Sequence, residues 1–91
     1  MGRERVLFKS EEKKSRKEVA DVMRAIADKV EQGKLMVSSG GQGVELEIPQ
    51  SVVLEIKVEE EEKQRKKKSL EIEIEWYEGD VHGAGSPVKI G

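Results

Sequence analysis

Cysteine is absent from this 91-residue chain, and so are asparagine and threonine. Without a thiol there can be no disulfide scaffold, thiolate metal site or cysteine nucleophile. Aromatics are nearly absent too: Phe8, Trp76 and Tyr77 are all there are, so a base-stacking platform is hard to build. The one histidine, His82, sits in a glycine-rich stretch with no acidic or nucleophilic cluster around it, as a solvated side chain would. No apolar run approaches membrane-spanning length, and the first twenty residues are charged rather than signal-like. The expectation is a soluble, cytoplasmic protein of one domain.

Charge is what the chain has instead. Lys and Arg number 17 against 19 Asp and Glu, charged residues make up 40%, and the net charge is −2. Such balance argues against a dedicated polyanion binder. The clear periodic segments argue against a disordered chain. Abundant Lys, Arg and Glu with no Asn, Thr or Cys suits a thermophile and an archaeal-like source.

The most regular stretch is Leu70-Glu71-Ile72-Glu73-Ile74-Glu75-Trp76, where apolar and acidic residues alternate without a fault. A strand points successive side chains to opposite faces, so this one has an oily face and a carboxylate face. Earlier in the chain, Arg5–Lys9 reads as a short strand with Val6 and Phe8 on one side. Ser15 stands three residues before Glu18, the capping-box spacing. Val19, Val22, Met23, Ile26 and Val30 follow at helical spacing, and Gly33 can end the helix in a left-handed conformation. Ser15–Gln32 is therefore an amphipathic helix.

Four strands are expected after it. Lys34–Ser38 leads into the turn Ser39-Gly40-Gly41-Gln42-Gly43 and then the alternating Val44–Ile48. A glycine-rich loop can also cradle phosphate, but phosphate loops open onto a helix and this one opens onto a strand. Pro49 stops the ladder. Val52–Glu59 alternates again, Glu60–Lys68 reads as a charged connection, and Leu70–Trp76 returns as the last strand. Residues 4–78 thus form one domain, and 79–91, with Ser86-Pro87, a mobile tail.

The order β-α-β-β-β-β implies an α+β fold: one helix packed on one face of a mostly antiparallel four- to five-stranded sheet. Counting the N-terminal strand as the first, a spatial order 2-3-4-5-1 leaves no parallel pair. The helix, about 27 Å long at ~1.5 Å per residue, can cross five strands. About twenty apolar side chains would then face inward, with Trp76 among them, while the exposed edge strands favour pairing between copies.

Taken together, Phe8, the Ser15–Glu18 helix start, Ala20, Gly33, Glu47-Ile48-Pro49 and Leu70–Trp76 resemble the amphi-Trp domain, a small prokaryotic and largely archaeal family. The resemblance runs from about Val6 to Tyr77. The highly charged turn before Leu70 and the tail after Tyr77 depart from it. It implies the fold and no particular activity.

No residue set points to catalysis. The serines sit where caps and turns need them, and the glutamates line an open face rather than a cleft with unlike environments. The expectation is no enzyme, no metal and no cofactor, but an interaction or adaptor module that binds protein or itself. Two surfaces are candidates. One is the carboxylate face, with Glu71, Glu73 and Glu75 plus the exposed Tyr77, which could dock a basic partner or simply stay solvated. The other is a basic pole formed by Lys13, Lys14, Arg16 and Lys17 at the helix start with Lys63, Arg65, Lys66, Lys67 and Lys68 before the last strand. Such a pole could contact nucleic acid weakly and in a salt-sensitive way. Glu11, Glu12 and Glu59–Glu62 in the same segments would neutralise much of it.

Overall fold

The computed structural model describes residues 2–79. They form one helix, α1 (Arg16–Gln32), and four strands: β1 (Lys34–Ser39), β2 (Gln42–Glu47), β3 (Val53–Glu62) and β4 (Lys66–Glu75). The chain divides between Ile48 and Pro49 into two compact units.

In the first unit the helix begins as its sequence dictates. Ser15 Oγ accepts from the Glu18 N–H at 3.1 Å, and Glu18 Oε1 accepts from the Ser15 N–H at 2.9 Å, so both halves of the capping box are made. Asp21 holds the first turns together, accepting from Lys17 at 3.2 Å and from Arg24 at 3.1 Å. Gly33 ends the helix at φ 87°, and its N–H reaches the carbonyls of both Lys29 and Val30 at 3.0 Å. An added Cβ at Gly33 would meet nothing closer than 3.5 Å, so it is the left-handed backbone that calls for glycine here.

β1 and β2 then form an antiparallel hairpin, with Leu35 opposite Leu46 and Val37 opposite Val44. Gly40 and Gly41 make its two-residue turn at φ 56° and 82°, the doubly positive conformation whose twist suits a tight hairpin. The helix lies against β1. The Ile48 N–H donates to the Gly33 carbonyl at 2.8 Å, tying the end of the hairpin to the end of the helix. Ile48 is 7% exposed, the most deeply buried aliphatic side chain described.

The described part of the second unit holds one long antiparallel hairpin. Each strand has ten residues, from the pair Val53–Glu75 to the pair Glu62–Lys66, closed by the loop Lys63-Gln64-Arg65. At ~3.4 Å per residue it is about 34 Å long.

The α+β class is thus as expected, but several finer expectations change. Arg5–Lys9 carries no strand. With two apolar residues on one side and charges at both ends, it has little to bury. Of the expected order 2-3-4-5-1, the described strands show the neighbours 2-3 (β1–β2) and 4-5 (β3–β4), each as a two-stranded sheet. Each pairing is between sequence neighbours joined by a tight loop, where closure costs least entropy. Glu60–Lys68 is mostly strand: Glu60, Glu61 and Glu62 face Lys68, Lys67 and Lys66, so opposite charges across the ladder carry both strands outward. Trp76 lies just past the end of β4 and is half-buried. Residues 80–91, which hold His82 and nearly all of the expected tail, lie outside the described residues.

Candidate functional site

Because the β3–β4 register is fixed pair by pair, the composition of each face of the hairpin follows from it. One face carries three directly opposed apolar pairs, Leu54–Ile74, Ile56–Ile72 and Val58–Leu70. Farther out on the same face stand the charged pairs Glu60–Lys68 and Glu62–Lys66. The other face carries Val53–Glu75, Glu55–Glu73, Lys57–Glu71, Glu59–Ser69 and Glu61–Lys67. Every residue of β3 is exposed.

The apolar face has nothing over it from the described residues of its own unit. Its residues were expected beneath the helix. In the structure Leu54, Ile56, Val58, Leu70 and Ile72 are between 46% and 72% exposed. The stripe of α1 is likewise open, with Val19, Val22, Met23 and Ile26 between 36% and 47% exposed. At about 1.5–3 kcal/mol for fully burying a large aliphatic side chain, six on one hairpin face represent a substantial unrealised stabilisation.

The carboxylate face has two regimes. Lys57 sits 3.7 Å from both Glu59 and Glu71, and these two carboxylates, Glu59 foremost, raise its pKa above the ordinary lysine value. Glu73 has no such cation. It faces Glu55 directly across the ladder with Glu75 two residues on, and its pKa is raised, first by a hydrogen bond with Glu55 that favours the protonated form and then by the charge of Glu75. Of the candidate docking residues, then, Glu71 is paired with Lys57, Glu73 and Glu75 belong to a concentration of negative charge, and Tyr77 is 83% exposed.

The candidate basic residues are largely tied up. Lys63 is 3.7 Å from Glu61; Lys66 is 3.7 Å from Glu60 and 3.6 Å from Glu62; Lys68 is 3.6 Å from Glu60. Lys67 is opposite Glu61, and Arg65 lies in the loop. These residues all belong to the second unit, whereas Lys13, Lys14, Arg16 and Lys17 belong to the first. There Lys14 is 3.2 Å from Glu12, and Lys17 is 3.2 Å from Asp21. At the helix start the Glu18 carboxylate already occupies the Ser15 N–H, and that bond lowers its pKa.

Among the described residues no group of three or more His, Asp or Glu side chains is arranged to hold a metal ion. No described helix is long and apolar enough to cross a membrane. The interstrand signal that sequence reasoning missed was present: four glutamates precede the loop and three lysines follow it, in mirror order about Lys63–Arg65.

No curated protein and no solved structure matches the chain. The amphi-Trp domain matches it from residue 1 to residue 91, the stretch of alternating glutamates before Trp76 included, and the chain belongs to that family.

Proposed function

We infer that this protein is a small non-enzymatic interaction domain that works by self-association through the β3–β4 hairpin. The observation that carries this reading is the open apolar face: three cross-strand pairs in fixed register, nearly all of them solvent-exposed. Isolated two-stranded hairpins are marginal in water and need further strands or a second layer over an apolar face. Between Pro49 and Gly79 the described chain supplies β3 and β4 and no further element. An exposed apolar patch of this kind marks an interaction surface.

The competing reading, salt-sensitive nucleic-acid contact through Lys63–Lys68, is weakened by the glutamates that pair with those lysines. Size-exclusion chromatography with light scattering, at low and moderate salt and with a short mixed-sequence duplex present or absent, separates the two. Self-association gives an assembly indifferent to salt and duplex, converted to monomer by Ile56→Lys with Ile72→Lys. A wild-type monomer that co-elutes with duplex at low salt only would overturn the reading in favour of the basic tip.

A further inference from the structure

Because β3 and β4 form a two-stranded sheet, each has a second edge without a strand against it in the described chain. Bare edges template pairing with another chain, and the side chains along them decide whether a copy of the same strand is welcome. The two edges differ sharply in this respect.

A two-fold antiparallel pairing of β4 with β4 of a second copy can set Leu70, Ile72 and Ile74 all against one another only if it is centred on Ile72. That register places Glu71 opposite Glu73 of the other chain, twice. Like charges directly opposed are unfavourable. Sliding the strands until lysines meet the glutamates sets Lys66 or Lys68 against the isoleucines instead. β4 therefore rejects itself.

β3 does not. Centred on Ile56, the same two-fold pairing sets Ile56 against Ile56, and Leu54 against Val58 twice, all on the apolar face. On the other face it sets Glu55 against Lys57 twice, and no like charges meet. One step either way spoils it: centring on Glu55 opposes the two Glu55 side chains, and centring on Lys57 opposes the two lysines and puts Glu55 against Glu59. We propose that β3 pairs with β3 of a second copy about Ile56, joining the two hairpins into a four-stranded sheet in the order β4-β3-β3-β4. This rests on the self-association reading and specifies its edge, register and two-fold axis.

The arrangement answers two features of the single chain. Glu55 faces Glu73 on one side, and the second copy supplies Lys57 on its other side. Lys57, which already contacts Glu59 and Glu71, gains a third carboxylate. The two apolar faces also merge into one continuous surface.

Charge reversal tests it: Glu55→Lys favours the hairpin's own pairing, whereas Lys57→Glu costs the hairpin its Lys57–Glu71 pair, so the mixture of the two variants is the deciding arm. Glu55→Lys places a lysine opposite Glu73 within the chain, favourable for the hairpin, but sets that new lysine against Lys57 of the other copy, twice. Lys57→Glu sets its new glutamate against Glu55 of the other copy, also twice. Each variant alone should dissociate, with a dimer Kd raised roughly tenfold or more. Mixed in equal amounts, the two should form a heterodimer. Both positions are then lysine in one chain and glutamate in the other, so each contact between the chains joins opposite charges. Light scattering gives the stoichiometry, and native mass spectrometry distinguishes hetero- from homodimer. A wild-type dimer whose Glu55→Lys variant stays dimeric, or a mixture that forms no heterodimer, would overturn the register and leave self-association standing. A wild-type monomer would overturn both.

Discussion

Ile48 and Ile56 occupy equally regular alternating stretches, yet the first is 7% exposed and the second 61%. Ile48 follows a short hairpin with a capped helix against it, and its own N–H is bonded to the helix C-cap. Ile56 is in the middle of a hairpin whose unit contains no second layer among the described residues. Alternation promises a face, and burial needs a neighbour. The first unit finds its neighbour within the thirty or so residues before Ile48, while the second presents an ordered apolar face to solvent.

Substituting the two isoleucines sharpens that contrast most. Ile48→Ala should cost about 2–5 kcal/mol in the helical unit, the usual toll of removing a buried aliphatic side chain. Urea titration followed by far-UV circular dichroism will show it as an early loss of helix. Ile56→Ala should barely change the unfolding of an isolated chain but weaken self-association, seen by light scattering on dilution. Equal destabilisation by both would mean that Ile56 is buried as deeply as Ile48 and would dissolve the comparison.

Smaller effects come from the helix ends. Gly33→Ala forces a Cβ into the left-handed region and should cost about 1–2 kcal/mol. Ser15→Ala removes one half of the capping box, for about 1 kcal/mol. Both should lower the melting temperature of the helix signal and leave the fluorescence of Trp76, in the other unit, unmoved. If Trp76 responded equally, the two units would unfold as one cooperative body.

The same contrast explains what could be read in advance. Ser15, Glu18 and Gly33 act on backbone groups within a few residues of themselves, so spacing alone disclosed the helix and both its caps. Gly40-Gly41 disclosed the first turn for the same reason. Leu70–Trp76 disclosed the two faces of β4. Which strand lies beside which is a non-local matter, and alternation is silent on it: the expected order named the neighbours β1–β2 and β3–β4, which pair, and two further neighbours that the described strands do not show. The length of the second hairpin was hidden in another way. Glu60–Glu62 and Lys66–Lys68 look like loop residues one strand at a time, and become a ladder only when the two runs are laid against each other. The alternation also put Glu71, Glu73 and Glu75 on one face and Leu70, Ile72 and Ile74 on the other, as the register has them.

The finest test of the comparison is acidification, because the two units should respond in opposite directions. Glu18 has its pKa lowered in the folded helix, chiefly by the Ser15 N–H that its carboxylate accepts. Its contribution is full above the ordinary carboxylate value of 4.5 and fades as pH falls through the lowered one. Glu73 has its pKa raised in the folded hairpin, foremost by the hydrogen bond with Glu55. The folded hairpin therefore binds the proton more tightly than the unfolded chain, so this contribution is present below 4.5 and is lost as pH rises through the raised value. Moderate acid should loosen the helix start while tightening the hairpin, read as a lower far-UV melting temperature beside a higher one by Trp76 fluorescence. Glu73→Gln should remove the repulsion with Glu55 at neutral pH, stabilise the hairpin there, and flatten its acid response without touching that of the helix. If Glu73→Gln left the Trp76 transition as pH-dependent as before, the carboxylates opposed across β3 and β4 would not be its source.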